Sequence, residues 1–251
     1  MKKFFAILAL VAFLVMGAAP VIVAQEEAAA PQTENAEEVG IHKALKVKFI
    51  EGSAFFMSFV AMALVMGMAF CVERIIYLNL SEVNKDKLLQ KVEEALAKGD
   101  VEGAKTVCRD TRGPIASIFY QGLTRLDHGI DVVEKTVIAY GGVRAGLLEK
   151  NLSWITLFIA MAPSLGFLGT VIGMVEAFDK IQQVGDISPT VVAGGMKVAL
   201  ITTVGGLIVA LILQLFYNYL LAKVESIMND MEDASISLLD LVIEYNLKFK
   251  K

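Results

Sequence analysis

Four polar residues, Thr170, Lys197, Thr202 and Thr203, stand inside stretches that are otherwise apolar. In a membrane span an ionisable side chain is costly enough to mark a functional position by default, and such positions line ion and substrate pathways. Of the four only Lys197 is ionisable, but taken together on adjacent helices Thr170, Thr203, Thr202 and Lys197 can line a polar seam and are the candidate ion pathway. Each has a structural alternative. A threonine hydroxyl can bond back to the preceding turn and face a packed neighbour. Lys197 lies about two turns into its apolar stretch, so its ammonium can either face a pore or reach back to the interface. Small residues surround the threonines. Ala162, Gly166, Gly169 and Gly173 share the first stretch with Thr170, and Gly195, Ala199 and Gly206 share the second with Thr202 and Thr203. At helical steps of three and four these form stripes, and small stripes let backbones approach closely where lipid supplies no hydrophobic drive. Gly166, Gly169, Gly173, Gly195, Ala199 and Gly206 are the expected helix-packing positions.

The elements that carry these residues are two apolar runs, 151–177 and 191–221, joined by a polar link at 178–190. Each exceeds the roughly 20 helical residues needed to cross a hydrocarbon core of ~30 Å, so 151–221 reads as a transmembrane hairpin. Composition agrees: 56 % of the chain is hydrophobic and 20 % charged, with a mean hydropathy of +0.61. A further span at 54–72 belongs to a first transmembrane segment, 51–78. Between it and the hairpin, 79–150 is polar but carries Leu88, Leu89, Val92 and Leu96 at helical spacing. It reads as a helical cytoplasmic domain with a helix continuing from the first span through 98, a short helix at 101–110, and another from the turn at Gly113-Pro114 through Leu126. From 131 to 177 no proline precedes Pro163 and no loop is evident, so one helix is expected to run from that domain through the membrane, with Gly141, Gly142 and Gly146 as close-packing points and a kink there as the alternative. Ser188 and Pro189 suit the N-cap and first position of the last helix. That helix continues into 222–251, where Val224, Ile227, Met231, Ala234, Leu238 and Leu241 keep an apolar stripe. The expected fold class is thus an all-α membrane protein whose three long transmembrane helices extend into a helical cytoplasmic domain.

Lys2 and Lys3, the apolar run that follows and the small residues at 17–19 read as a signal peptide over 1–24, with retention as a membrane anchor the alternative. Residues 25–50 read as a periplasmic acidic arm followed at 41–50 by an interfacial helix, with a solvated lead-in to the next span as the alternative. Export of that arm places 79–150 and 222–251 inside and 178–190 outside. Arg74, Lys85, Lys87 and Lys91 after the first span support this orientation, whereas Lys43, Lys46 and Lys48 oppose it. Other chemistry is not indicated. His42 and His128 stand apart, Cys71 and Cys108 lie in unrelated segments, and the Gly166–Gly169 stretch has no following Walker lysine. No enzyme site, cofactor, metal or nucleic-acid partner is expected.

The run from Ala162 to Met174, APSLGFLGTVIGM, and that from Ala199 to Leu207, ALITTVGGL, resemble the signature of the MotA/TolQ/ExbB proton-channel family, and within it the ExbB-type biopolymer transport proteins. Glu73-Arg74, Gly113-Pro114 and the stretch from Leu148 to Leu152 are also similar to family patterns. The resemblance implies a multi-pass subunit of the bacterial inner membrane, a pentamer enclosing an ExbD-type single-span partner, and coupling to a TonB-type protein. The partner supplies a membrane aspartate that takes up and releases protons, and the threonines beside it correspond to Thr170 and Thr203. Hydroxyls suit that role because they donate to a carboxylate and accept from a carboxylic acid. A Tol-type, gliding or flagellar stator, or a non-conducting scaffold, is the alternative. One position departs from the pattern. Where ExbB-type members carry a glutamate five residues before the second threonine, this chain has Val198. Glu176 and Asp179 read either as a partial replacement or as an exposed helix end.

Overall fold

A computed structural model describes residues 48–185 and 189–249, and every regular element among them is a helix. The signal peptide and most of the arm expected before residue 48, and the Ser188 cap, lie outside the described residues. A helical turn at 48–51 ends at Gly52 and Ser53, the latter at φ 61°, and α1 follows as Ala54–Ser81. Three short helices come next: α2 (Lys85–Ala97), α3 (Val101–Asp110) and α4 (Pro114–Thr124). A 3-10 turn, Leu126–His128, leads into α5 (Ile130–Glu149), α6 (Leu152–Val184) and α7 (Pro189–Phe249). Asn84 and Asp100 start α2 and α3 by accepting from the Lys87 and Gly103 N–H groups at 3.0 and 2.8 Å, the usual N-cap arrangement.

Three helices among the described residues are long and apolar enough to cross a membrane. Two segments expected to be continuous are interrupted. The first span does not run on into the polar region, because residues 82–84 break the chain between α1 and α2. The expected single helix from 131 to 177 also breaks, with Lys150 extended and Asn151 left-handed at φ 68°. Asn151 donates from Nδ2 to Glu73 Oε2 at 3.3 Å, so the break is tied to the far end of α1. Pro163, by contrast, sits inside α6 without ending it. The link between the last two spans is shorter than expected, since α6 continues to Val184, where Gly185 at φ 72° donates to the Ile181 carbonyl.

The 61 residues of α7 make a rod about 90 Å long that serves both halves of the molecule. Its first half packs on α6 and α1. Gly67 of α1 is held so close to Leu213 that an added Cβ would stand 2.7 Å from Leu213 Cδ1. Phe70 of α1 stacks on Trp154 and Phe158 of α6, each at 6.1 Å. Its second half buries Leu220, Val224, Ile227, Met231, Ala234, Leu238 and Val242, in a core shared with Leu88, Val92 and Leu96 of α2 and Phe119 and Leu123 of α4. Lys85 ties α2 to α7 through Asp233 and Asp230, at 2.6 and 3.1 Å, and Lys223 pairs with Glu82.

Candidate functional site

Where α6 and α7 cross, glycines set the spacing and threonines fill what is left. At Gly206 an added Cβ would stand 2.5 Å from the Ala162 carbonyl oxygen, and at Gly166 it would stand 2.8 Å from the Thr202 carbonyl oxygen. At Gly195 it would meet the Ala177 Cβ at 2.4 Å, and at Gly169 the Thr202 side chain at 2.9–3.1 Å. Gly173 has more room, with Val198 Cγ1 at 3.5 Å. Ala199 is buried in the same seam.

This close approach brings Thr170 and Thr203 into contact. Their Oγ1 atoms lie 2.5 Å apart, and either can be the donor. Thr170 Oγ1 also lies 3.1 Å from the Gly166 carbonyl of its own helix and 3.3 Å from the Ala199 carbonyl across the seam. Thr203 Oγ1 reaches the same Ala199 carbonyl at 3.3 Å. The pair has two hydroxyl protons. One can join the two oxygens and the other can go to a carbonyl or to an outside acceptor, so the pair can change direction without moving backbone. Both residues are half-buried and retain an open side.

The other two candidate pathway residues lie elsewhere. Thr202 is fully buried and donates to the Ala199 carbonyl at 2.8 Å, which places it inside the helix contact. Lys197 turns away from the seam and donates from Nζ to Glu51 Oε1 at 2.9 Å, just ahead of α1. Lys48 joins that pair at 3.3 Å. Gly52 is packed there too, with Ile201 Cγ2 2.7 Å from where its Cβ would stand. No local pattern could have announced Glu51 as the partner of Lys197, because the two are 146 positions apart. Val198 packs toward Gly173, and Glu176 and Asp179 are exposed.

A second polar group, at the opposite end of α1, was only partly legible. Arg74 is 3 % exposed. It donates to both carboxylate oxygens of Glu73 at 2.6–2.7 Å, lies over the Tyr77 ring at 4.5 Å, and reaches the Leu147 carbonyl at 3.4 Å. With Glu73 also bonded to Asn151, this cluster fixes the end of α5 and the start of α6 against α1. Among the described residues no group of three or more histidine, cysteine or acidic side chains is placed to hold a metal ion.

Residues 110–233, which include the whole threonine seam, match the MotA/TolQ/ExbB proton channel family. The chain is 29 % identical over 167 residues to the putative biopolymer transport protein ExbB homolog of Methanothermobacter thermautotrophicus, a match covering 66 % of this chain and 59 % of that protein. It is 37 % identical over 89 residues to biopolymer transport protein exbB1 of Vibrio cholerae, covering 32 % of this chain and 39 % of that one. To the biopolymer transport protein ExbB of Aquifex aeolicus it is 36 % identical over 85 residues, 34 % of this chain and 57 % of the relative. The matched stretches thus span between 39 and 59 % of these relatives' own lengths. With its helical hairpin, its threonine seam and these similarities, the chain belongs to the MotA/TolQ/ExbB proton channel family.

Proposed function

We propose that this chain is the proton-channel, stator-like subunit of an inner-membrane complex that couples the proton gradient to TonB-dependent transport across an outer membrane. The observation that carries this reading is the Thr170–Thr203 hydroxyl pair, half-buried on a seam that glycines hold open to close approach. A carboxylate brought to such a seam by an ExbD-type span would meet donors in a water-poor setting, which lowers the cost of its charged form and lets it release a proton. Family membership supports the same reading; Val198, standing where ExbB-type members carry a glutamate, departs from it and in this reading leaves the proton-carrying acid to the partner. Residues 79–150 and 222–251 then lie in the cytoplasm and the α6–α7 turn in the periplasm.

A neighbouring copy, in the ring of five that the family resemblance implies, would find an open apolar strip on the polar half. Gly141, Gly142 and Gly146 of α5 have nothing within 4 Å of where a Cβ would stand, so they pack against nothing in their own chain. Gly141 and Gly142 border a groove between α5 and α7 where Ile138 and Ile236 are 66 % and 63 % exposed. An apolar strip of that kind suits a neighbouring copy.

A second reading, a non-conducting scaffold, is favoured by one specific observation: every hydroxyl in the seam already has a partner within the chain. Proton flux separates the two. Liposomes holding the chain with its single-span partner should acidify under an imposed gradient, and those holding the partner alone should not. Equal, background-level leak from both preparations would leave the scaffold.

A further inference from the structure

Helix α5 is held to its own chain by one face. Val133 and Val137 are buried on it, and they pack over Gly122 of α4, where an added Cβ would stand 3.0 Å from Val137 Cγ2 and 3.1 Å from Leu238 Cδ2 of α7. The two flanks beside that face are open, and they differ in charge. One flank forms the groove with α7, about 580 Å³, whose lining includes Glu134, Ile138, Glu232 and Ile236 and no Lys or Arg side chain among the described residues. The other flank, with Arg125 at the end of α4, borders an open hollow of about 440 Å³. Its lining includes Val132, Lys135 and Val143 and no acidic side chain among the described residues.

Helical spacing sets the flanks apart. Positions 134, 138 and 141 on the acidic flank are offset by two residues from 132, 136 and 139 on the basic one, a little over half a turn at about 3.6 residues per turn. Neighbours on either side can therefore use both flanks at once. Each flank also exposes apolar surface that water disfavours, Ile138 and Ile236 in the groove and Val143, 59 % exposed, in the hollow. Glu134, Glu232, Arg125 and Lys135 are all exposed. Among the described residues Glu134, Glu232 and Lys135 enter no ion pair within the chain. A two-fold pairing of groove on groove would set these glutamates against their own copies, and like charges across an interface are costly. Groove against hollow sets carboxylates against cations instead.

We propose that the acidic groove between α5 and α7 receives the basic flank of α5 from a second copy of this chain, head to tail, with Glu134 and Glu232 facing Arg125 and Lys135 of the partner subunit. Gly141 and Gly142 leave the groove wall without Cβ atoms, so the incoming side chains can lie against backbone. Such a contact repeats from copy to copy and closes into a ring when the rotation allows. That the occupant is a second copy rests on the assembly in the proposed function; proton conduction plays no part.

The test follows the mass of the detergent-solubilised full chain by light scattering as it is diluted. Wild type should be oligomeric. Glu134→Lys/Glu232→Lys and Arg125→Glu/Lys135→Glu should each raise the concentration of half-dissociation about tenfold or more, and a chain carrying all four reversals should return to within about threefold of wild type. Restoration identifies a paired contact, because independent losses would add. Should a reversal variant not fold, Gly142→Phe obstructs the groove from a position with nothing within 4 Å of its Cβ, and it should weaken assembly to the same degree. A monomeric wild type, unchanged mass in both double variants, or no restoration would overturn the proposal. A groove reversal that sheds a single-span partner while the oligomer holds its mass would also overturn it and give the groove to that partner. Proton flux that fails while the mass series behaves as expected would remove the channel and leave this contact standing.

Discussion

Added methyl groups distinguish glycines that set the helix spacing from glycines that do not. At Gly206 an added Cβ would be 2.5 Å from a backbone oxygen, which cannot swing aside, whereas at Gly194 nothing lies within 4 Å. Gly206→Ala should therefore destabilise the solubilised subunit by about 1–3 kcal/mol, as overpacking does. Gly194→Ala should be neutral or slightly stabilising, because alanine restricts the unfolded chain more than glycine does. Thermal melting of the two variants checks the contrast. Cys108 gives a second prediction at this scale. It is 2 % exposed, and burial pushes its thiol up to about 12 from an ordinary 9.0. The native thiol should resist alkylation at pH 8 and react once the chain is unfolded. Because only the unfolded thiol ionises between those values, its contribution to native stability is intact below pH 9.0 and is lost as pH climbs toward about 12. Rapid native-state alkylation of Cys108 would contradict this packing.

Helix α7 is the element on which the polar half depends. Leu238 and Val242 are fully buried on it, so Leu238→Ala should cost about 2–4 kcal/mol, and removal of 235–251 should cost more. Unchanged melting of the truncated chain would show that the stripe packs on nothing. That stripe was legible because residues at helical spacing can bury one face only against a partner, and Leu88, Val92 and Leu96 supplied one. The small-residue stripes were legible for the same reason. The break at Asn151 was not. No proline or glycine marks it, and the left-handed residue is bonded to Glu73, 78 positions away. Glycines at 141, 142 and 146 read as contacts, yet in the single chain nothing lies within 4 Å of where their Cβ atoms would stand. Side-chain type records that a backbone can be approached, not whether the approaching surface belongs to the same molecule.

Across the whole molecule, apolar side chains such as Phe55, Met62, Phe167, Leu200 and Leu211 are exposed on the three long helices, which calls for lipid or neighbouring subunits. The proposed orientation is checked by Gln183→Cys in intact spheroplasts, where an impermeant thiol reagent should label it without membrane rupture. Labelling only after rupture would invert the topology and place the α6–α7 turn inside. The central claim is that Thr170 and Thr203 serve a proton carrier. The most direct test is proton flux through liposomes holding the chain and the proposed single-span partner, comparing wild type with Thr170→Val/Thr203→Val and with Thr203→Ser. Valine keeps the shape and removes the hydroxyl, and losing a hydrogen bond to a charged group costs about 1.5–3 kcal/mol. Flux should therefore fall by about tenfold or more while the complex still co-purifies, and Thr203→Ser should retain most of it. Undiminished flux in the double valine variant would contradict the account and leave the two threonines as packing residues.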